Sequence, residues 1–340
     1  KSLVLEHYYR RRRKDLGILV DEAGEPVGGM WNFDEDNRET FGKRGPGDVP
    51  EPMRFELDDT ARAVVDMVEH RFADHPGPSG SDDGQGLLQH LGEVPLNREQ
   101  ALAYLDDFIE HRLPRFGTYE DAMWSDRPVL YHARLSAALN LKLLNPRACV
   151  DRALAAHDSG HAPLHSVEGF VRQLLGWREF IRGVYWLHMP EYQTLNALGC
   201  EDRDVPGFYW DAETDMRCLG QCLGQVRELG YAHHIQRLMV MGLFAQLLGV
   251  HPRRFHDWHM AMYLDAVDWV SLPNALGMSQ FGDGGIVGTK PYCATGKYIQ
   301  RMSDYCNGCR YRPDRAHGED ACPFTTLYWD FLDRHRDRFA

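Results

Sequence analysis

Cys306, Cys309 and Cys322 fall within the run YCNGCRYRPDRAHGEDACPF, and Cys218 and Cys222 stand far upstream as candidate partners. A Cys-x-x-Cys pair followed by a third cysteine within one loop's reach suits thiolates converging on a soft metal. A disulfide inside so tight a pair would use two sulfurs and constrain little. Cys218 and Cys222 are spaced i and i+4, so both share a helix face and either could supply a fourth thiolate. Four thiolates suit a structural zinc and an iron-sulfur cluster alike, and spacing does not choose between them. Cys149, Cys200 and Cys293 lack ligand spacing and read as small buried apolar residues.

A second constellation is AHHIQRL, in which His233 and His234 precede Arg237 by four and three residues. That spacing turns an imidazole and a fixed cation towards one pocket, while the two adjacent histidines point to different sides. Arg237 lies in an otherwise apolar segment, and an unpaired buried guanidinium is strongly destabilising, so Asp265 in HMAMYLDAVDWV is its expected partner. An arginine-aspartate pair beside a histidine suits a cofactor and catalytic centre. Trp177, Trp186, Trp210, Trp258 and Trp269 read mostly as core, with two or three available to pass electrons from a buried redox centre by short hops. GxGxxG, GxxxxGK and HExxH are absent, which disfavours nicotinamide, nucleoside triphosphate and zinc-protease chemistry.

The elements that must position these residues are helical. Asn97 with Gln100 forms a capping-box pattern opening NREQALAYLDDFIEHRL, where Leu102, Leu105, Phe108 and Ile109 recur at three and four spacing. The same period runs through VLYHARLSAALNLKLL, VEGFVRQLLGWREFIRGVYW and a single long helix expected from about 213 to 248. Residues 15–58, rich in Gly, Pro and acids, read as a linker or lid without a core of its own, and HPGPSGSDDGQG at 75–86 as a surface loop. The expected organisation is a linker or lid segment at 1–58, an all-α binding domain at 59–270 and a cysteine-rich lobe at 271–340, to which Cys218 contributes from the helical part.

At 340 residues, 43% hydrophobic and 26% charged, the chain can bury a sizeable core. Eight cysteines without a secretory leader or an apolar run of about 18 residues point to a reducing, cytoplasmic setting and away from a membrane. The chain opens at Lys1 in mid-pattern, which reads as a fragment with its true N-terminus upstream and leaves a targeting signal on that side open. The net charge of −12 disfavours nucleic acid on average, but six cations crowd residues 1–14 against Glu6. Phosphate binding needs a local basic face. The cations at Arg172, Arg178 and Arg182, at Arg253 and Arg254, and at 310–315 read, taken alone, as solvated faces.

With these residues assembled, the chain resembles, over nearly its whole length, the bacterial iron-sulfur branch of the photolyase and cryptochrome family, the photolyase-related proteins that include prokaryotic (6-4) photolyases. The strings that carry the resemblance are GGMWNFDEDNR, FGTYEDAM, YHARLSAALN, EGFVRQLLGWREFIRGVYW, YAHHIQRLMV, LPNALGMSQFGDGG, TKPYCATGKYI, and MSDYCNGCRY with ACPFTTLYWDFL. The resemblance implies a helical domain holding folded FAD and a 4Fe-4S cluster on Cys218, Cys306, Cys309 and Cys322. It implies that Tyr119, His132, Arg134, Leu135 and Ser136 serve the flavin phosphates and ribityl chain, and that Arg178, Ser271 and Asn274 lie beside the flavin. Arg237 and Asp265 match an ion pair against the flavin ring, and His234, with His233 beside it, the histidine facing a lesion. Trp258 and Trp210 match a photoreduction wire, with Tyr292 and Tyr298 in the same region.

The implied activity is light-driven repair of a pyrimidine (6-4) photoproduct flipped out of UV-damaged DNA, single- or double-stranded, by a monomer, with His234 as proton donor. Two departures stand against the family pattern. Ser271 replaces an acidic residue common in this branch, which bears on stabilisation of the flavin radical. The family's N-terminal α/β domain is absent here and the final helical tail is short, so an antenna chromophore is expected only in that missing domain and the fragment need not be a complete repair enzyme. A cryptochrome-like photoreceptor without repair, and a structural zinc-containing DNA-binding module, are the competing readings.

Overall fold

A computed structural model describes residues 3–75 and 90–339, so most of the loop expected at 75–86 lies outside the described residues. Among those residues the architecture is helical throughout. Extended pairing is limited to two isolated bridges, Val20 with Pro26 and Arg312 with Ala321. The all-α expectation is met.

Local chemistry sets the helix ends. Asn97 caps the Arg98–His111 helix through a 2.9 Å bond from the Gln100 backbone N–H, while the Gln100 side chain accepts from the Leu96 N–H at 2.8 Å, a capping box displaced by one residue. Leu105 and Phe108 are buried, as the spacing requires. The helix expected from about 213 to 248 is broken in two. Arg217–Leu229 ends at Gly230, whose φ of 58° is left-handed, and the chain restarts after Tyr231 and Ala232. The break carries His233 and His234 to the side of the bundle that faces Asp265.

Three stretches widen into π-helical turns: Arg172–Arg178 between Leu164–Val171 and Glu179–His188, Gln236–Gly242 ahead of Leu243–Leu248, and Pro273–Ser279 after Asp268–Leu272. Such turns hold one residue more than an α turn and concentrate at functional sites. All three face the same cavity.

A linker or lid is the expectation for residues 1–58. In the structure Leu5–Leu16 is instead a helix packed on the Arg172–Arg178 turn, with Tyr9 and Arg13 fully buried and Ile18, Leu19 and Asn37 buried beyond it. Arg13 has carbonyl partners, Ile18 O at 3.2 Å and Trp31 O at 2.8 Å, and its guanidinium lies 5.1 Å from the Trp31 ring.

Buried side chains gather into three cores. The largest joins Cys218, Cys222, Trp258, Tyr305 and Phe324; a second forms around Phe108, Phe116 and Phe170; a third forms around Phe180, Ile181 and Leu276. The tryptophan expectation fails for most positions. Trp258 is 1% exposed, but Trp186 is 68% and Trp210 38% exposed, and Trp177 and Trp269 are half-buried. A tryptophan at helical spacing packs only where a neighbouring helix covers that stripe. Cys149 is buried as expected, whereas Cys200 and Cys293 are only partly so.

Candidate functional site

The three cores meet around a cavity of about 570 Å³, within the range of roughly 300–1,000 Å³ usual for ligand and cofactor sites. Eleven residues expected to serve a cofactor or its chemistry line it: His132, Arg134, Leu135, Ser136, Arg178, His233, His234, Arg237, Asp265, Ser271 and Asn274. Tyr119 does not. It stacks between Phe41 at 4.6 Å and Tyr131 at 5.6 Å, away from the cavity wall.

The expected ion pair forms, and it is bidentate: Arg237 Nη1 and Nη2 lie 3.0 and 3.1 Å from the two Asp265 oxygens. Arg237 Nε donates to Ala232 O at 2.7 Å, and its guanidinium stands 4.0 Å over the Tyr263 ring, so its orientation is fixed on three sides. Burial alone would raise the Asp265 carboxyl, but the Arg237 guanidinium and the Ser136 hydroxyl hold it below the usual carboxylate range. The Asn140 side chain donates to Asp265 O at 2.8 Å, pinning the loop that carries the pair.

His233 and His234 diverge as adjacent residues must. His233 is buried and stacks on His132 at 4.0 Å, its two ring nitrogens without partners. His234 is 45% exposed, and its Nε2 stands 3.4 Å from Asp121 Oδ1. His132, whose Nε2 faces Glu120 O at 2.8 Å, is pushed down to about 4, first by burial and then by the His234 imidazole. These three histidines bring ligand atoms within 4.8 Å of one another. Stacked rings aim their lone pairs in parallel planes, however, so His132 and His233 do not converge on one ion.

Several lining residues were not singled out in the sequence. Arg172, read there as part of a solvated face, lines the cavity with a buried Nη2 that has no partner, beside the expected Arg178, which lies 4.8 Å from the Trp269 ring, its pKa lowered by burial. The π turn brings both inward, where plain helical periodicity predicts solvent. Asp34, Arg38, Glu120 and Asp121 also line the wall, and Asp34 and Asp121 sit inside the family strings GGMWNFDEDNR and FGTYEDAM. His259 was missed as well. Its Nδ1 lies 3.1 Å from Phe255 O, and burial pushes it down to about 3, which leaves a neutral ring.

Of the residues expected to pass electrons, Trp258 is buried, 5.1 Å from His259 on the cavity side and 5.1 Å from Tyr209 on the other, and it donates to Tyr209 O at 3.1 Å. Trp210, the next residue after Tyr209, is at the surface. Tyr292 lines the cavity; Tyr298 does not.

Cys218, Cys306, Cys309 and Cys322 border one small apolar pocket of about 10 Å³ with Met216, Ile299, Tyr305 and Phe324. Cys222 is excluded from it: its Sγ faces the Tyr305 hydroxyl at 4.0 Å. Desolvation and the neighbouring sulfurs raise the Cys218 thiol, and Cys306 is pushed up to about 12 by the same causes. Thiols raised in this way, as at Cys218 and Cys306, become thiolates most readily on binding a metal. Gly296 closes one wall, where an added Cβ would stand 2.7 Å from Cys322 Sγ. Four cysteine sulfurs bordering one apolar pocket fit a thiolate-held metal centre, a zinc and an iron-sulfur cluster alike. The cavity, with cations on its wall and unpartnered buried nitrogens, fits an anionic, hydrogen-bonding cofactor such as FAD.

The chain is 44% identical to a (6-4) photolyase of Agrobacterium fabrum (strain C58) across 99% of its own length and 64% of that protein's. The likeness to that photolyase runs through almost the whole chain. Residues 1–83 match the family model for deoxyribodipyrimidine photo-lyase-related proteins. The photolyase fold is matched in the crystal structure of a bacterial class III photolyase from Agrobacterium tumefaciens, with a TM-score of 0.53 at 18% identity over 71% of this chain and 56% of that one. An uncharacterised protein of Acanthamoeba polyphaga mimivirus, R855, is 30% identical over 30% of this chain and 75% of its own length. The chain thus spans just under two thirds of that photolyase's length. Among the described residues no helix is long and apolar enough to cross a membrane.

Proposed function

We propose that this chain is the flavin- and lesion-binding part of a light-driven DNA repair protein acting on pyrimidine (6-4) photoproducts. The observation that carries the reading is the juxtaposition, on one cavity, of the bidentate Arg237–Asp265 pair with a solvent-accessible His234 held beside Asp121. Reduced FAD bound in the cavity would supply, on absorbing blue or near-ultraviolet light, the electron the lesion needs.

This chain's residues do the rest. Arg237 offers a fixed cation where negative charge is to be held, and Asp265 keeps it oriented and neutralised when the site is otherwise empty of charge. Arg172 and Arg178 supply donors suited to the diphosphate, with Arg134, His132 and Ser136 on the adjoining wall. Ser271 and Asn274 border the ring region. Asn274 directs its amide to Val270 O at 2.9 Å, which turns that donor away from the cavity. His234 is the residue able to hand a proton to the substrate, being accessible where His132, His233 and His259 are buried and held neutral. Trp258, with Tyr209 and Trp210 beyond it, would carry electrons in from the surface.

Cys218, Cys306, Cys309 and Cys322 would hold a 4Fe-4S cluster that staples the Arg217–Leu229 helix to the cysteine-rich lobe. The segments 1–58, 59–270 and 271–340 then serve as covering segment, flavin domain and cluster lobe. The test is direct: illuminate the reduced protein with an oligonucleotide bearing a (6-4) lesion and assay for restored thymines. Restored thymines support repair. Their absence while FAD stays bound and reducible replaces repair with photoreception. One zinc per chain and no flavin returns the structural DNA-binding module.

A further inference from the structure

Between the cavity and the cysteine pocket lies a buried amide network that neither repair nor metal binding requires. Gln225 and Gln236 exchange hydrogen bonds through both side-chain amides, at 3.1 Å from Gln225 Nε2 to Gln236 Oε1 and 2.9 Å in return. Gln236 Nε2 also donates to the Tyr305 hydroxyl at 3.2 Å, and Gln236 Oε1 accepts from the His233 backbone N–H at 3.0 Å. Gln225 Nε2 reaches Tyr231 O at 3.1 Å.

Each end of this network belongs to a different region. Tyr305 precedes Cys306 in sequence and lines the cysteine pocket, while Gln225 shares a helix with Cys218 and Cys222. His233 and His234 line the cavity. The chemistry at His233 is that of a helix start: beyond the break at Gly230 its N–H has no helical carbonyl to meet, and Gln236, three residues on, accepts it as in half of a capping box. The other half of the Gln236 amide is committed to Tyr305 and Gln225. Gln236, Tyr305 and His233 are 2%, 1% and 4% exposed, so a lost partner leaves a polar group dry and unpaired.

We propose that Gln236 is a positioning residue that couples the cysteine centre to the His233–His234 turn. The centre fixes Tyr305 and the Arg217–Leu229 helix, these fix the Gln236 amide, and the amide fixes the turn from which His234 addresses the cavity. The inference rests on the reading that the four cysteines hold an iron-sulfur centre.

Hydrogen exchange of the His233 amide, followed on peptides spanning 230–237 of the FAD-bound protein, tests it, with iron and labile sulfide assayed on each sample. Tyr305→Phe removes one hydroxyl and keeps the ring. It is expected to speed exchange at that amide by about tenfold or more at unchanged iron content, with Arg217–Leu229 as protected as before. Gln236→Leu is expected to do the same. Chelating iron from the unmutated protein speeds the same amide, and the speeding is absent in Gln236→Leu. A His233 amide that stays fully protected both in Tyr305→Phe and after chelation overturns the coupling, as does an equal response to chelation with and without Gln236. If the unmutated protein carries no iron, the iron-sulfur reading falls, and Tyr305→Phe still decides whether the network holds the turn.

Discussion

The cavity and the cysteine pocket lie on the same large core and treat charge in opposite ways. The cavity spans about 570 Å³ and arrives with its charges already arranged: an arginine paired to an aspartate, four further arginines, and three imidazoles kept neutral by burial. The pocket spans about 10 Å³, is lined by thiols and apolar side chains, and burial with the neighbouring sulfurs pushes Cys218 and Cys306 away from ionising. A preorganised polar site keeps its shape whether or not it is filled. A set of raised thiols becomes stable only with the cation that ionises it, so the pocket's folding energy is conditional and the cavity's is not.

The largest break in that contrast is expected at the pocket. Cys309→Ala would remove one ligand of the proposed centre, and structural metal centres held by thiolates contribute on the order of 10 kcal/mol to folding, so soluble yield and thermal unfolding should collapse while a cavity variant of similar size remains folded. The next effect is acidic pH acting on the cavity. His132 has a folded pKa of about 4, below the unfolded value of roughly 6.5, so between those values the unfolded chain binds more protons. Stability from this group is complete above about pH 6.5, declines by on the order of 3 kcal/mol as pH falls towards about 4, and is flat below. Urea unfolding across that window checks it, and Asn in place of His132 should flatten the decline.

Two alanines separate the regions more finely. Gly296→Ala presses a Cβ on Cys322 Sγ, and Gly242→Ala presses one on Arg237 O, at 2.7 Å in each case. Each should cost about 2 kcal/mol by overpacking. The first should lower iron per chain at unchanged flavin, the second flavin per chain at unchanged iron. Loss of both groups in either variant would show that the regions respond as one. The smallest stability effect belongs to His234→Ala, within about 0.5 kcal/mol as for an exposed site. Repair should nonetheless fall by at least about 100-fold with FAD retained.

Legibility in the sequence divides along the same line. Cysteine spacing is a local pattern, so the pocket was legible down to a choice between Cys218 and Cys222; the family resemblance favoured Cys218, and Cys222 Sγ faces the Tyr305 hydroxyl away from the pocket lining. The Arg237–Asp265 pair was legible because a lone cation in an apolar run requires an anion. The break at Gly230 was not, since glycine is tolerated inside helices, and it moved both histidines. Arg172 was misjudged as solvated because plain helical periodicity carries no sign of a π turn. Trp186 and Trp210 were misjudged because apolar residue type does not say which stripe of a helix a neighbour covers.

Those π turns carry a consequence for how the cavity could arise or vanish. Arg172–Arg178, Gln236–Gly242 and Pro273–Ser279 each hold one residue beyond an α turn, and the wider turn absorbs that residue locally, so the helix beyond keeps its facing. Removing a single in-frame codon from any one of them would restore an ordinary α turn with the downstream stripe still facing its neighbours, leaving a bundle able to pack and a cavity missing one wall. Length variation of one residue at these three places, more than substitution, is where binding in such a bundle can be gained or lost in one step.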